Sequence, residues 1–330
     1  MSIQTEVTFR DAIRAALDYA LESDSAVVLL GEDIGEAGGV FKVTEGLYAK
    51  YGGMRVMDTP ISETGFTGAA IGLGLAGYKP VIEIMFADFV AVAFDQIVNQ
   101  AAKYFYLSAG QMSVPLVIRV VGGAGLGFAC QHSQTTESWY LPFPGIKVVV
   151  PATVQDGYDL LLASIADPNP VIFIEHKSLY MKTGVLETNG RTDYRSLLGK
   201  AVVEKSGQDV TIVASLAMVW EALNAAYELE NLGISAEVIN IRTLEPLDWQ
   251  TICQSVNKTS RLIVVEEQPL AGGWGGYVVS VVVEKAFYSL DAPPKRICMP
   301  GAPVPFSRPL EQKAIPSASD IKEAVMSMLQ

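Results

Sequence analysis

The sequence predicts an α/β protein of two domains, each built around a mainly parallel sheet. At 330 residues the chain is long for a single domain. Short apolar runs, typical of strands buried on both faces, alternate with helical patterns. Between residues 177 and 198 this alternation gives way to Lys, Thr, Gly, Asn and Asp, as expected for a connection between domains. We therefore expect one domain at 1–185, a linker at 186–203 and a second domain at 204–330.

The first helix is predicted after Thr8, where Thr8 and Asp11 resemble a capping box with Asp in place of the usual Glu or Gln. Apolar residues at helical spacing follow from Ile13. The run 26–30 predicts a buried strand that ends in Gly-Glu-Asp. The same patterns predict further strands at 80–85, 115–121, 146–150 and 171–175, and helices at 67–76, 90–105 and 154–166.

The second domain repeats the alternation. Its predicted strands are 209–214, 235–241, 261–266 and 295–298, and its predicted helices are 217–232, 276–287 and 319–329. The sequence contains no internal repeat and no low-complexity tract.

Composition excludes several classes of function. The formal net charge is −12 and no Lys/Arg cluster is present, which argues against nucleic-acid and anionic-membrane partners. Apolar residues make up 50% and charged residues 18%, so we expect a large core and buried subunit contacts. No apolar stretch reaches the ~18 residues of a membrane helix. The three widely spaced cysteines and the absence of a signal-peptide pattern favour reduced thiols in a cytoplasmic protein.

Glu63 is the first candidate for chemistry. It lies in the turn 58–68, between a strand pattern and a helix pattern, where α/β proteins place functional groups. It could be an ordinary carboxylate stabilised by the helix dipole. Alternatively, burial beside Ile61, Phe66 and Ala69 would raise its pKa and make it a proton partner. The position alone leaves both alternatives open.

His132 is the second candidate, and one of only two histidines. A lone histidine is more often structural, but this one follows the glycine-rich segment 122–127, a loop after a strand, which makes an acid/base role more plausible than usual. His176 ends the apolar run 171–175 and is more typical of a structural histidine. Cys130 lies two residues before His132, so their side chains diverge in an extended loop, and no third group completes a cysteine nucleophile.

Two further motifs have simpler explanations. Gly72-Leu-Gly-Leu-Ala-Gly77 matches a dinucleotide fingerprint literally, but it closes a helix pattern where the fingerprint should open one. Small residues there indicate close helix packing. The segment 164–170 is typical of a helix end and turn, although its carbonyls and carboxylate could hold a cation.

Several long segments, in order, closely resemble the β chain of the thiamine diphosphate-dependent 2-oxo acid dehydrogenase decarboxylase component. The resemblance spans nearly the whole chain, and its clearest segments are 28–32, 55–65, 83–89, 94–103, 129–134 and 238–243. It implies an N-terminal thiamine-pyrimidine-binding domain and a C-terminal transketolase-like domain. Pyruvate is the expected substrate, with the branched-chain 2-oxo acid and acetoin enzymes as alternatives.

The resemblance also implies roles for individual residues. Glu63 matches the glutamate that hydrogen-bonds N1′ of the aminopyrimidine ring, Phe89 the aromatic that stacks on it, and Glu32 an acidic residue behind Glu63. His132 matches the histidine associated with acyl transfer to the lipoyl group. A structural potassium site of some members is matched by five residues, two of them through backbone carbonyls: Leu116, Ser164, Ile165, Asp167 and Asn169.

Half of the cofactor site is missing from this sequence. The Gly-Asp-Gly motif and Asn pair that hold diphosphate and magnesium are absent, and in the family they lie on a separate α chain. The resemblance therefore implies a thiamine diphosphate shared between subunits of an α2β2 heterotetramer. Asp291 and Gln330 match the region where some β chains dock the dihydrolipoyl acyltransferase core.

Two rival interpretations remain. A half enzyme similar to transketolase or deoxyxylulose-phosphate synthase would need a basic cluster for sugar phosphates, which this acidic chain lacks. A non-catalytic scaffold subunit is the alternative of another class. The presence of Glu63, Phe89 and His132 together argues against it.

Overall fold

The computed structural model describes residues 3–188 and 193–329. The elements of the N-terminal part are β1 (Ile3–Thr8), α1 (Phe9–Ser23), β2 (Val27–Gly31), α2 (Leu47–Tyr51), β3 (Val56–Asp58), α3 (Glu63–Leu75), β4 (Lys79–Ile84), α4 (Val90–Asp95), α5 (Tyr104–Leu107), β5 (Val117–Gly122), β6 (Lys147–Val149), α6 (Val154–Ile165), β7 (Val171–His176) and β8 (Thr183–Thr188). Those of the C-terminal part are β9 (Val202–Lys205), β10 (Val210–Ala214), α7 (Met218–Glu230), β11 (Ala236–Asn240), β12 (Thr243–Glu245), α8 (Trp249–Thr259), β13 (Leu262–Pro269), α9 (Gly275–Ala286), β14 (Lys295–Met299), α10 (Arg308–Ala314) and α11 (Ala318–Leu329).

The larger sheet has seven strands in the order β12-β6-β7-β5-β4-β2-β3. Its pairs are parallel except at the edge, where β12 runs antiparallel to β6. Side chains of β2 alternate between two cores: Val28 and Leu30 pack on one face, Val27 and Leu29 on the other. Burial on both faces explains why such strands read as continuous apolar runs.

The second sheet has the order β14-β13-β10-β11-β9, with only β9 antiparallel to its neighbour. The two domains share more than a connection, because β12 comes from the C-terminal half yet completes the edge of the first sheet. The predicted two-domain α/β architecture is confirmed. No helix within residues 3–188 or 193–329 is long and apolar enough to cross a bilayer.

The structure differs from the prediction at the linker and at the helix predicted over 90–105, and it contains elements that were not predicted: β1, α2, β9, β12, α8 and α10. Part of the expected connection forms β8, which pairs antiparallel with β1. The linker predicted at 186–203 thus overlaps β8 and β9, and its residues 189–192 lie outside the described part of the chain. The single helix predicted at 90–105 is interrupted after α4 by a π-helical turn, Gln96–Gln100, and a 3-10 turn, Ala101–Lys103.

Candidate active site

Three of the predicted site residues lie beyond the carboxyl ends of neighbouring strands in the larger sheet. β2 pairs with β3 on one side and β4 on the other, so the chain crosses over β2 between β3 and β4. Such a crossing opens a crevice at the carboxyl ends of the strands, where α/β proteins bind ligands. Glu32 directly follows β2, Glu63 opens α3 after β3, and Phe89 follows β4.

Glu32 and Glu63 form a buried acidic pair. Each is only 8% exposed. Burial, followed by the negative charges of Glu63 and Asp33, raises the pKa of Glu32, and the backbone N–H of Ser62 opposes this by donating to it. Within residues 3–188 and 193–329, the Oε1 atom of Glu32 has no hydrogen-bond partner. The negative charge of Glu63 thus favours the protonated form of Glu32.

His132 lies in a cluster of aromatic rings with Phe89. The His132 ring centroid is 4.5 Å from that of Phe86 and 5.4 Å from that of Phe89, both in edge-to-face geometry. Phe41 and Phe128 extend the cluster through their contacts with Phe86. Edge-to-face pairs add packing energy beyond their buried area. The imidazole is therefore held beside the ring of Phe89.

A hydrogen bond connects the first turn of α3 with α4. Thr64 Oγ1 donates to the Val92 carbonyl oxygen at 2.5 Å. The turn that carries Glu63 is thereby fixed to the helix that begins just after Phe89. Through these contacts the structure brings Glu32, Glu63, Phe89 and His132 into one region, although they are separated by up to a hundred positions in sequence.

Of the five residues matched to a potassium site, Ser164 and Ile165 end α6, Asp167 and Asn169 lie in the turn after it, and Leu116 directly precedes β5. The Asp167 carboxylate accepts from Lys147 Nζ at 2.9 Å and lies 3.7 Å from Arg195 Nε. The Leu116 carbonyl accepts from Val171 N–H, and the Ser164 carbonyl from Asp167 N–H. Because the carboxylate already faces two cationic groups, a potassium ion here would depend on the remaining lone pairs of carbonyl oxygens.

Of the two residues matched to partner docking, the structure describes only Asp291. Asp291 is exposed before β14, its carboxylate lies 3.8 Å from Arg261, and its N–H donates to the Ser260 carbonyl. Gln330 lies outside the described residues.

A buried ionic network beside the crevice is not predicted from the sequence. The Arg119 guanidinium donates to both carboxylate oxygens of Glu175, at 2.6 and 2.8 Å, and also contacts Glu83. Tyr180 completes the network by donating its hydroxyl to Glu175 at 2.7 Å. The available signal was a charged residue inside each of three apolar strand runs, since a buried charge requires a partner.

His176 has the structural role that its position favours. It is 2% exposed, with Nε2 2.8 Å from Glu267 Oε2 and Nδ1 2.8 Å from Ser178 Oγ. Glu267 belongs to β13 of the second domain, so His176 joins the two domains.

Comparison with known proteins places both domains in families. Residues 5–183 match the transketolase pyrimidine-binding domain and residues 199–321 the transketolase C-terminal domain. The chain is 46% identical, over 97% of its length and 85% of the relative's, to the pyruvate dehydrogenase E1 component subunit beta-2 of Oryza sativa subsp. japonica. It is 40% identical to the corresponding subunit beta of Rhizobium meliloti, covering 98% of this chain and 70% of that one.

Solved structures show the same fold. A chain described as a split-gene transketolase in an inactive β4 tetramer superposes with a TM-score of 0.78 at 25% identity, covering 98% of each chain. A transketolase from Pichia stipitis superposes with a TM-score of 0.71 at 16% identity over 98% of this chain and 46% of that one, which shows the fold alone.

Proposed function

The chain belongs to the β subunits of thiamine diphosphate-dependent 2-oxo acid dehydrogenases, those of the pyruvate dehydrogenase E1 component among them, and from this premise we propose how its residues act. With an α subunit it would decarboxylate pyruvate and pass the acetyl group to lipoamide. The observation that carries the proposal is the buried pair of Glu32 and Glu63 at the crossing point of the sheet, beside Phe89.

The chain supplies the half of the site that would surround the aminopyrimidine ring. When bound, thiamine diphosphate supplies the electron sink for decarboxylation. Glu63 would hold a proton against the ring nitrogen. Glu32, with its raised pKa and an unpartnered oxygen, is suited to keep a proton behind Glu63. Phe89 would pack on the ring, and the diphosphate and magnesium would be held by the α chain.

His132 would act on the second half of the reaction. Its contacts with Phe86 and Phe89 hold the imidazole beside the proposed cofactor position. An imidazole can give or take a proton near neutral pH. We assign it to acyl transfer to the lipoyl group, at the sulfur that accepts the acyl carbon.

The assembly proposed is an α2β2 heterotetramer that docks a dihydrolipoyl acyltransferase core. Asp291 is exposed, as docking requires, and Gln330 is assigned to the same surface from the family resemblance. Potassium binding at Leu116 and 164–169 is also a proposal, supported by the burial of Ser164 and Asp167 and opposed by the cationic partners of Asp167.

The function can be tested on the protein purified from its own cells. Native mass spectrometry should give two copies of this chain, two of a second polypeptide and two thiamine diphosphates. The preparation should then acetylate lipoamide with pyruvate faster than it acylates with branched-chain 2-oxo acids or cleaves acetoin. A β-only oligomer without cofactor would instead support the scaffold alternative. Preference for another substrate would overturn the assignment to pyruvate.

A further inference from the structure

The loop that carries His132 is held by the second domain. This His132 loop, residues 123–135, follows β5 in the first domain. Glu311, on α10, accepts hydrogen bonds from two of its backbone N–H groups: Gly125 N lies 2.8 Å from Oε1 and Gly127 N lies 2.9 Å from Oε2. Hydrogen bonds to a charged acceptor are roughly twice as strong as neutral ones. One side chain thus fixes two points of the loop.

The backbone of the loop is shaped for this contact. Gly125 has φ 101° and Gly127 has φ 76°, values that residues with a Cβ rarely adopt. Glu311 itself is only 1% exposed, so its carboxylate lies against the loop and away from water. A buried carboxylate needs hydrogen-bond donors, and these two N–H groups provide them.

The ends of the His132 loop are attached to the same domain. The Ala124 N–H donates to the carboxylate of Glu267, at the end of β13. Thr135 Oγ1 donates to the Glu267 carbonyl at 2.8 Å, and Gln268 Nε2 donates to the Thr135 carbonyl at 3.2 Å. His132 therefore lies in a segment with both ends and its glycine-rich part fixed from the second domain.

Glu311 differs from Glu267 in what else it contacts. Glu267 also bonds the buried His176, so replacing it would disturb the interior of both domains. The side-chain hydrogen bonds of Glu311 go to Gly125 and Gly127 of the loop. A change at Glu311 can therefore affect the loop while leaving the buried ion pair of His176 intact.

We propose that Glu311 is a positioning residue that holds the His132 loop in the conformation needed for acyl transfer. Its carboxylate fixes residues 125–127, and this fixes His132 against Phe86 and Phe89. The inference rests on the proposed function for the role of His132. Beyond that function, the inference gives the second domain, through α10, a role in acyl transfer to the lipoyl group.

The test is Glu311→Gln in the co-purified α2β2 complex. The amide keeps one acceptor oxygen and places an NH2 group opposite the other N–H, so at least one charge-assisted hydrogen bond is lost. Losing such a bond to a buried group corresponds to about 10- to 100-fold in a local opening equilibrium. Hydrogen–deuterium exchange of peptides within 123–135 should accelerate by that factor, while peptides from β10 and α7 keep their rates.

Activity gives the second readout. We expect lipoyl acetylation to fall about tenfold or more, while decarboxylation with an artificial electron acceptor stays within about twofold. Glu311→Asp retains the charge and both oxygens, and should recover part of the loss. Glu323→Gln, at an exposed position on α11, makes the same change of charge and should alter neither readout.

The outcomes separate the proposal from its alternatives. Unchanged exchange in the His132 loop would overturn it, and so would faster exchange throughout the second domain, which would make Glu311 a general stabiliser. If Glu311→Gln does not assemble, Gly127→Ala tests the same contact from the loop, because a Cβ at φ 76° strains it. Faster loop exchange in a complex whose wild type neither decarboxylates nor acylates would reject the proposed function and would leave only the attachment of the His132 loop by Glu311 supported.

Discussion

Glu63 owes its environment to three parts of the chain. α3 presents it at its first position, Glu32 follows the neighbouring strand β2, and Thr64 fixes the turn to α4. Glu63 is 8% exposed, so its carboxylate lies in a medium that strengthens interactions with a bound ring nitrogen. A neutral amide of the same shape would fit the same space but could not hold the proton.

Glu63→Gln should therefore lower turnover of the assembled complex by ~10²–10⁴, the range for an acid/base group, without preventing assembly. The measurement is kcat for lipoamide acetylation with pyruvate, alongside native mass spectrometry. Glu36→Gln is the control, because Glu36 is exposed and follows β2 by only a few residues. Near-normal turnover in Glu63→Gln would contradict the assignment.

His132→Ala should impair lipoyl acetylation more than decarboxylation, because the imidazole is assigned to the acyl-transfer step only. Both half-reactions are measured on one preparation, the first with a lipoyl domain and the second with an artificial electron acceptor. Gln131→Ala changes an exposed neighbour in the same loop and should leave both rates near wild type. Equal losses in the two half-reactions would show that the roles are not divided in this way.

At the scale of elements, local signals predicted most segments that carry their own pattern, but they missed α8, although Asp248 caps its first turn by accepting from Thr251 N–H. The strand 26–30 and the helix 154–166 agree with β2 and α6 to within a residue or so. β1, β8 and β12 were missed, since each is defined by a distant partner. β1 pairs with β8 nearly the whole domain away, and neither is fully buried, so no continuous apolar run marks them. The turns that interrupt 90–105 likewise have no Gly or Pro signal.

The N-terminus of α6 provides a measurable case of local stabilisation. Thr153 Oγ1 accepts from Asp156 N–H at 3.1 Å, and Asp156 Oδ2 accepts from Thr153 N–H at 3.2 Å, which forms a capping box. Asp156 also accepts from Asn240 in β11, so the cap contacts the second domain.

Thr153→Ala should lower the free energy of unfolding by ~1 kcal/mol, the usual cost of losing an N-cap side chain. Urea unfolding followed by circular dichroism measures it. Thr153→Ser is the matched control, because it keeps the hydroxyl and should stay close to wild type. A similar loss in both variants would assign the effect to the methyl group and not to the cap.

At the scale of the whole molecule, the sequence predicted the candidate site better than its supports. Glu32, Glu63, Phe89 and His132 each lie in a segment with a recognisable pattern. The residues that hold those segments in place lie in segments without such a pattern. Gly125 and Glu311 are 186 positions apart, and nothing local to either indicates the contact. Arg119 and Glu83 are neighbours only because β4 pairs with β5, which places them at the same register position. Residue pairs of this kind depend on the arrangement of the domains.

The interface between the domains also contains a carboxyl group with a raised pKa. Glu137 is 2% exposed, and its Oε2 accepts from Gln268 Nε2 at 2.7 Å. Burial is the main cause, with the charges of Glu267 and Glu266 adding to it, and together they raise the pKa of Glu137 from its ordinary value of 4.5 to about 8. Between those values the folded protein keeps a proton that the unfolded chain has released.

Stability should therefore fall as pH rises from about 4.5 to about 8, because over this range the unfolded chain releases the Glu137 proton while the folded protein must keep it. Glu137→Gln mimics the protonated group and removes this dependence. We expect the urea midpoints of wild type and variant to lie closest near pH ~5, to diverge steadily up to pH ~8 with the variant more stable, and to stay apart by a constant amount above that pH. Lys177, whose pKa burial lowers to about 8, titrates in both proteins and cancels in the comparison. Midpoints that run parallel from pH ~5 to ~9 would mean that Glu137 is ionised in the folded protein throughout this range.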